Sequence, residues 1–135
     1  MDSAVPGLVQ VNLFVRDLQR ACSFYAELFG FEELTAARSP IFRGLLAGPV
    51  LLGFSSAETY ARLNLPAALA QRGVAHMLTF NVRDSSAVDK AVECAVRLDA
   101  SLLKAAAATA YGRYQAVLLD PEGNAFRIES PVAGS

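Results

Sequence analysis

Basic clusters, long apolar runs, paired cysteines and glycine-rich phosphate loops are all missing from this 135-residue chain, and each absence removes a class of function. Lys and Arg number 12 against 13 Asp and Glu, a formal net charge of −1, and the basic residues are dispersed. The electrostatic footprint that grips nucleic acid or an anionic membrane surface is therefore absent, and neither is expected as a partner. No uninterrupted apolar stretch approaches the roughly 18 residues of a spanning helix. Met1 to Gly7 has no basic segment leading into an apolar one, so the expected setting is cytoplasmic. Cys22 and Cys94 lack C-x-x-C spacing and neighbouring ligands, and are expected as reduced, half-buried thiols without chemistry. With His76 as the one histidine and serines scattered, no Ser/His/Asp arrangement is legible. Gly44, Gly48 and Gly53 do not have the spacing of a phosphate-binding loop.

What the chain does have is apolar content, 53% hydrophobic against 19% charged, which places it outside the disordered class. At roughly 150 residues per domain it makes about one domain, able to bury about two-thirds of its unfolded surface. It also contains a repeat. Val15-Arg16-Asp17 recurs 67 residues later as Val82-Arg83-Asp84. Upstream of the first copy, Val9, Val11, Leu13 and Val15 alternate with Gln10, Asn12 and Phe14; upstream of the second, Leu78, Phe80 and Val82 alternate with Met77, Thr79 and Asn81. Period two predicts a strand in each place, in the same phase. Each Asp then stands where a helix N-cap belongs, its carboxylate accepting orphan backbone N–H groups. Leu18, Ala21, Cys22, Tyr25, Leu28 and Phe29 recur at helical spacing until Gly30, and Val88, Ala91, Val92, Ala95, Val96 and Leu98 do so before Asp99.

Short extended runs follow each helix: Phe31 to Ala37, Ile41 to Ala47 and Pro49 to Phe54 in the first half, and Ser101 to Ala108, Tyr114 to Leu119 and Asn124 to Glu129 in the second. Ser39-Pro40, Gly48-Pro49, Tyr111-Gly112 and Asp120-Pro121-Glu122-Gly123 punctuate them. The alanine-rich Lys104 to Ala110 has helix propensity, but the repeat places a strand there. The expected organisation is one α+β domain of two βαβββ modules, 8–54 and 74–130, joined by a short helical connector over 55–73.

These residues resemble the vicinal oxygen chelate superfamily, which includes glyoxalase I, extradiol dioxygenases, bleomycin-binding resistance proteins and fosfomycin-modifying enzymes. The resemblance rests on Val15 to Ala21 followed by Phe24-Tyr25 and Leu28-Phe29-Gly30-Phe31, and on Asp120-Pro121-Glu122-Gly123-Asn124 leading into the last strand. It implies an eight-stranded mixed sheet curled around a cavity, commonly completed in a homodimer that covers the sheet edges. The strand faces turned from the helices would line that cavity: Gln10, Asn12 and Phe14; Met77, Thr79 and Asn81; Ala125, Arg127 and Glu129.

Metal-dependent relatives hold a divalent ion with His, Gln or Glu from the first strand of each module and Glu from the last strand. Seven residues before each capping Asp stand Gln10 and Met77, and seven after Asp120 stands Arg127. A thioether and a permanent cation do not suit that ion, so no standard metal site and no cofactor are expected. An irregular set of Gln10, His76 and Glu129 remains the metal alternative, although His76 is one residue out of phase. Arg127 lies between Phe126 and Ile128, which belong to the helix-covered face, and so turns to the other side. It needs a partner there, either Glu129 on the same strand face or an anionic group of a ligand. Tyr111, Tyr114, Phe126 and Phe42 serve either to stack a planar ligand or to pack a core, and Tyr114 is carried among the ligand-binding candidates.

The resemblance thus implies a glyoxalase/bleomycin-resistance/dioxygenase-like homodimer that binds, and as an enzyme transforms, a small anionic metabolite or antibiotic. The alternatives are a divalent-metal-dependent lyase or dioxygenase, and a non-catalytic dimeric binding or regulatory protein.

Overall fold

Asp17 and Asp84 act as the helix starts that their positions predict. In a computed structural model, which describes residues 5–66 and 74–132, the Asp17 carboxylate accepts from Arg20 N at 3.0 Å and the Asp84 carboxylate from Ala87 N at 2.9 Å. Each satisfies one backbone donor that the first helical turn leaves open. Helix α1 then runs Leu18–Phe29 and helix α3 Ser85–Arg97. Gly30 stops α1 in the left-handed region at φ 73°, donating its N–H to Ala26 O, a conformation that costs glycine little.

The chain divides into two compact units between residues 68 and 69. In the first, strands β1 (Gln10–Phe14), β2 (Glu32–Glu33), β3 (Phe42–Ala47) and β4 (Val50–Ser55) form a sheet of order β1-β4-β3-β2. In the second, β5 (Met77–Asn81), β6 (Ser101–Ala108), β7 (Arg113–Leu119) and β8 (Ala125–Pro131) form a sheet of order β5-β8-β7-β6. Each sheet pairs its first and last strands in parallel and the rest antiparallel. The expected eight strands thus form two four-stranded sheets of one topology. A short helix α2 (Glu58–Arg62) opens the connector, as expected; residues 67–73 of it lie outside the described residues.

One element departs from expectation, and one follows it against its own propensity. The strand expected from Phe31 to Ala37 pairs only at Glu32–Glu33, and Thr35–Ala37 winds into a 3₁₀ turn. Arg38 closes that turn by gripping the Glu33 carboxylate with both ends of its guanidinium, at 2.8 and 2.7 Å, which holds the Glu33 carboxyl below its ordinary pKa. Strand β6 is a strand through Ala108, and sheet pairing overrides its alanine content, with register shifts between Leu102 and Lys104 and between Lys104 and Ala107.

In each unit one sheet face packs under its helix. Leu13, Tyr25, Leu45 and Phe54 are fully buried in the first, where the Tyr25 and Phe54 rings stack at 5.7 Å. Val88, Ala95, Leu118, Phe126 and Ile128 are fully buried in the second. Cys22 lies within the first core, and burial pushes its thiol pKa up. Among the described residues no helix is long and apolar enough to cross a membrane.

Candidate functional site

With one face of each sheet committed to its core, the alternation of a strand turns the other residues to the opposite face. In the second unit, register sets Met77 opposite Ala125, Thr79 opposite Arg127 and Asn81 opposite Glu129. Across the next pair, Arg127 faces Val117 and Glu129 faces Gln115. Thr79, Asn81, Arg127 and Glu129 are therefore brought together as neighbours on one face, with Met77 at its end.

The partners of the charged groups differ from expectation. Glu129 pairs with Arg113, at 3.2 Å, and not with Arg127. Residues 127 and 129 are two positions apart on one strand, about 7 Å, whereas Arg113 reaches Glu129 diagonally from the adjacent strand. Arg127 instead donates from Nε to Thr79 Oγ1 at 2.9 Å, and among the described residues it has no other hydrogen bond or ion pair. Its two terminal nitrogens are thus left with donors to offer. Across β5, β8 and β7 this face carries two guanidiniums, Arg113 and Arg127, against the single carboxylate of Glu129. Gln115 was missed at the sequence level. It donates to the Tyr111 hydroxyl at 2.9 Å, and its Oε1 is buried with no partner among the described residues. Its alternation on β7 was readable, but the pairing with β8 that brings it beside Glu129 was not.

Tyr114 stands apart from this set. Its hydroxyl donates to Asp89 of α3 at 2.8 Å, which puts it on the helix side and raises the phenol pKa, because the neutral form makes that bond. Phe126 is core, and Tyr111 is largely exposed.

In the first unit, Gln10 Nε2 donates to Asn12 Oδ1 at 2.7 Å, and Asn12 Nδ2 donates to Ser55 Oγ at 3.3 Å. Phe14, in register with Ser55, stacks on Tyr60 at 4.5 Å. Gln10, Asn12 and Phe14 thus share one face, as their phase predicts.

The metal positions implied by the resemblance do not fit a cation. The Met77 position offers a thioether, and a guanidinium occupies the Arg127 position, directly opposite Thr79. The irregular alternative is overturned by register. His76 precedes β5, while Glu129 pairs with Asn81 at its far end, five residues away and about 16 Å at the rise of a strand. His76 instead lines a recess with Gly123 and Asn124, about 10 Å³ in volume, the space of one water. Among the described residues no three His, Cys, Asp or Glu side chains are grouped to hold a metal ion.

The Glyoxalase/Bleomycin resistance protein/Dioxygenase superfamily model matches residues 7–128. A glyoxalase/bleomycin resistance protein/dioxygenase family enzyme from Burkholderia phytofirmans PsJN is 44% identical, with 93% of this chain and 99% of that one covered and a TM-score of 0.89. Two more distant structures share the fold. Lactoylglutathione lyase from Agrobacterium tumefaciens is 20% identical, with 92% of each chain covered and a TM-score of 0.70. Fosfomycin resistance protein FosX from Mesorhizobium loti is 16% identical, with 96% of this chain and 95% of that one covered and a TM-score of 0.70. Comparison with curated proteins finds no match.

Proposed function

Since the chain belongs to the glyoxalase/bleomycin resistance protein/dioxygenase superfamily, we propose that it binds a small anionic molecule on the open face of its second sheet, with Arg127 in place of a metal as the positive charge. The observation that carries this is the geometry of Arg127. Thr79 fixes the guanidinium through Nε, and the terminal N–H groups, which match a carboxylate or phosphonate two-pronged, are left for a ligand. Glu129 does not neutralise it, being held by Arg113. A homodimer belongs to this reading, supported by the uncovered outer strand β6.

The test is titration of the full chain with oxalate and methylphosphonate by calorimetry. Arg127→Met keeps side-chain length and removes the charge, and is expected to weaken binding about 30-fold, roughly 2 kcal/mol, as for a charge-assisted hydrogen bond. Thr79→Val, which removes only the acceptor that orients the guanidinium, is expected to weaken it about threefold. Unchanged affinity in Arg127→Met would sink the proposal.

A further inference from the structure

Across β1, β4 and β3 of the first unit, the face turned from α1 carries no charged residue, and two glycines meet at its middle. Gly44 and Gly53 are direct partners in the β3–β4 pair, and Asn12 is the partner of Gly53 across β1. Glycine weakens a strand interior, so a cross-strand pair of them asks for a reason. Neither has a positive φ, so conformational freedom is not that reason. Space is. A Cβ at Gly53 would collide with Asn12 Oδ1 and lie 2.8 Å from Phe42 Cε1. One at Gly44 would lie 3.2 Å from Phe42 Cε2 and 3.0 Å from Leu51 Cδ1. The tip of the Phe42 ring and the Asn12 amide occupy the room that the two side chains give up. In the second unit the corresponding places carry side chains, Thr79 for Asn12, Arg127 for Gly53 and Val117 for Gly44. The notch is therefore peculiar to the first unit.

The amide beside the ring is fixed but not saturated. Asn12 Oδ1 accepts from Gln10 and Nδ2 donates to Ser55, which leaves one N–H and one lone pair. Phe42 remains half-exposed. We propose that the Phe42 ring and the Asn12 amide seated in this notch form a stacking subsite for a neutral planar ring bearing one amide or carbonyl substituent, with Phe42 as its platform and the Asn12 amide as its polar edge. Gly44 and Gly53 are the positioning residues that let both side chains lie against the sheet. The inference stands on the first unit alone and does not require an anion at Arg127.

Benzamide tests it against cyclohexanecarboxamide, which has the same polar group on a puckered ring. Both are titrated into the full chain while the Gly44 and Gly53 amide resonances are followed by NMR. Benzamide is expected to shift both saturably and to bind about tenfold more tightly than its puckered counterpart, the scale of an aromatic contact. Phe42→Leu is expected to abolish that preference, and Asn12→Ala to weaken benzamide about fivefold, the scale of one hydrogen bond. Equal binding of the two probes, an absence of glycine shifts up to the solubility limit, or an unchanged preference in a folded Phe42→Leu protein each overturns the proposal. Should Phe42→Leu fail to fold, unchanged benzamide affinity in Asn12→Ala overturns it instead.

Discussion

Of the two positions that ill suit the divalent ion implied by the resemblance, Met77 and Arg127, the second carries a charge. A guanidinium carries only N–H donors, so the group that Arg127 is proposed to receive must be an anion or an acceptor, and Thr79 limits how the guanidinium turns. Tyr114 shows the opposite use of a polar group. Its hydroxyl ties β7 to α3 through Asp89, so Tyr114→Phe is expected to lower the melting temperature at neutral pH without touching ligand binding. The sign of its pH dependence follows from the raised phenol pKa. The folded state holds the proton more tightly than the unfolded state, so the contribution is complete below the ordinary value of 10.0 and is lost as pH rises through the raised one. Melting curves of the two proteins should differ at pH 7 and converge in alkali; a constant gap would show that the bond to Asp89 is not the cause.

Elements were legible in the sequence where a local rule was clear or where the repeat supplied a counterpart. Both helix starts follow from an Asp placed before an apolar stripe, and β6 follows from its counterpart in the first half against its own alanine propensity. Strand β2 was overextended because Phe31 to Ala37 shows no stop signal, while the device that ends it, the Arg38 grip on Glu33, acts through space. The partner of Glu129 was hidden for a related reason. Side-chain phase can be counted along one strand, but the β7–β8 register that brings Arg113 near is set by the turn holding Asp120, whose carboxylate accepts from both Glu122 N and Asn124 N. The caps make the firmest prediction at this scale. Asp84→Ala leaves the Ala87 donor without its acceptor and is expected to cost about 1 kcal/mol in urea unfolding, with the slope unchanged, as for other N-caps. Asp84→Asn, which keeps an acceptor oxygen, should recover most of that.

Duplication gives the molecule two sheets of one topology, and their unequal sequences give those sheets different chemistry: amides and aromatic rings on the first, guanidiniums on the second. It also gives each sheet two outer strands, β1 and β2 in the first and β5 and β6 in the second, and an outer strand is a hazard that proteins cover or charge. Strand β6 is neither short nor well charged. It runs eight residues with Lys104 as its single charge, and Leu102 and Leu103, pointing to opposite faces, are 43% and 57% exposed. A second copy of the chain closing on this strand about a two-fold axis would bury both leucines and satisfy the edge without opening the way to fibres. Light scattering at micromolar concentration is expected to give twice the 14.4 kDa chain mass. Leu103→Lys places a charge on the edge while leaving the buried face of β7 intact, and should shift the protein to the monomer mass with its melting transition still cooperative. A wild-type mass of 14.4 kDa, or a dimer indifferent to Leu103→Lys, would remove β6 as the dimer contact.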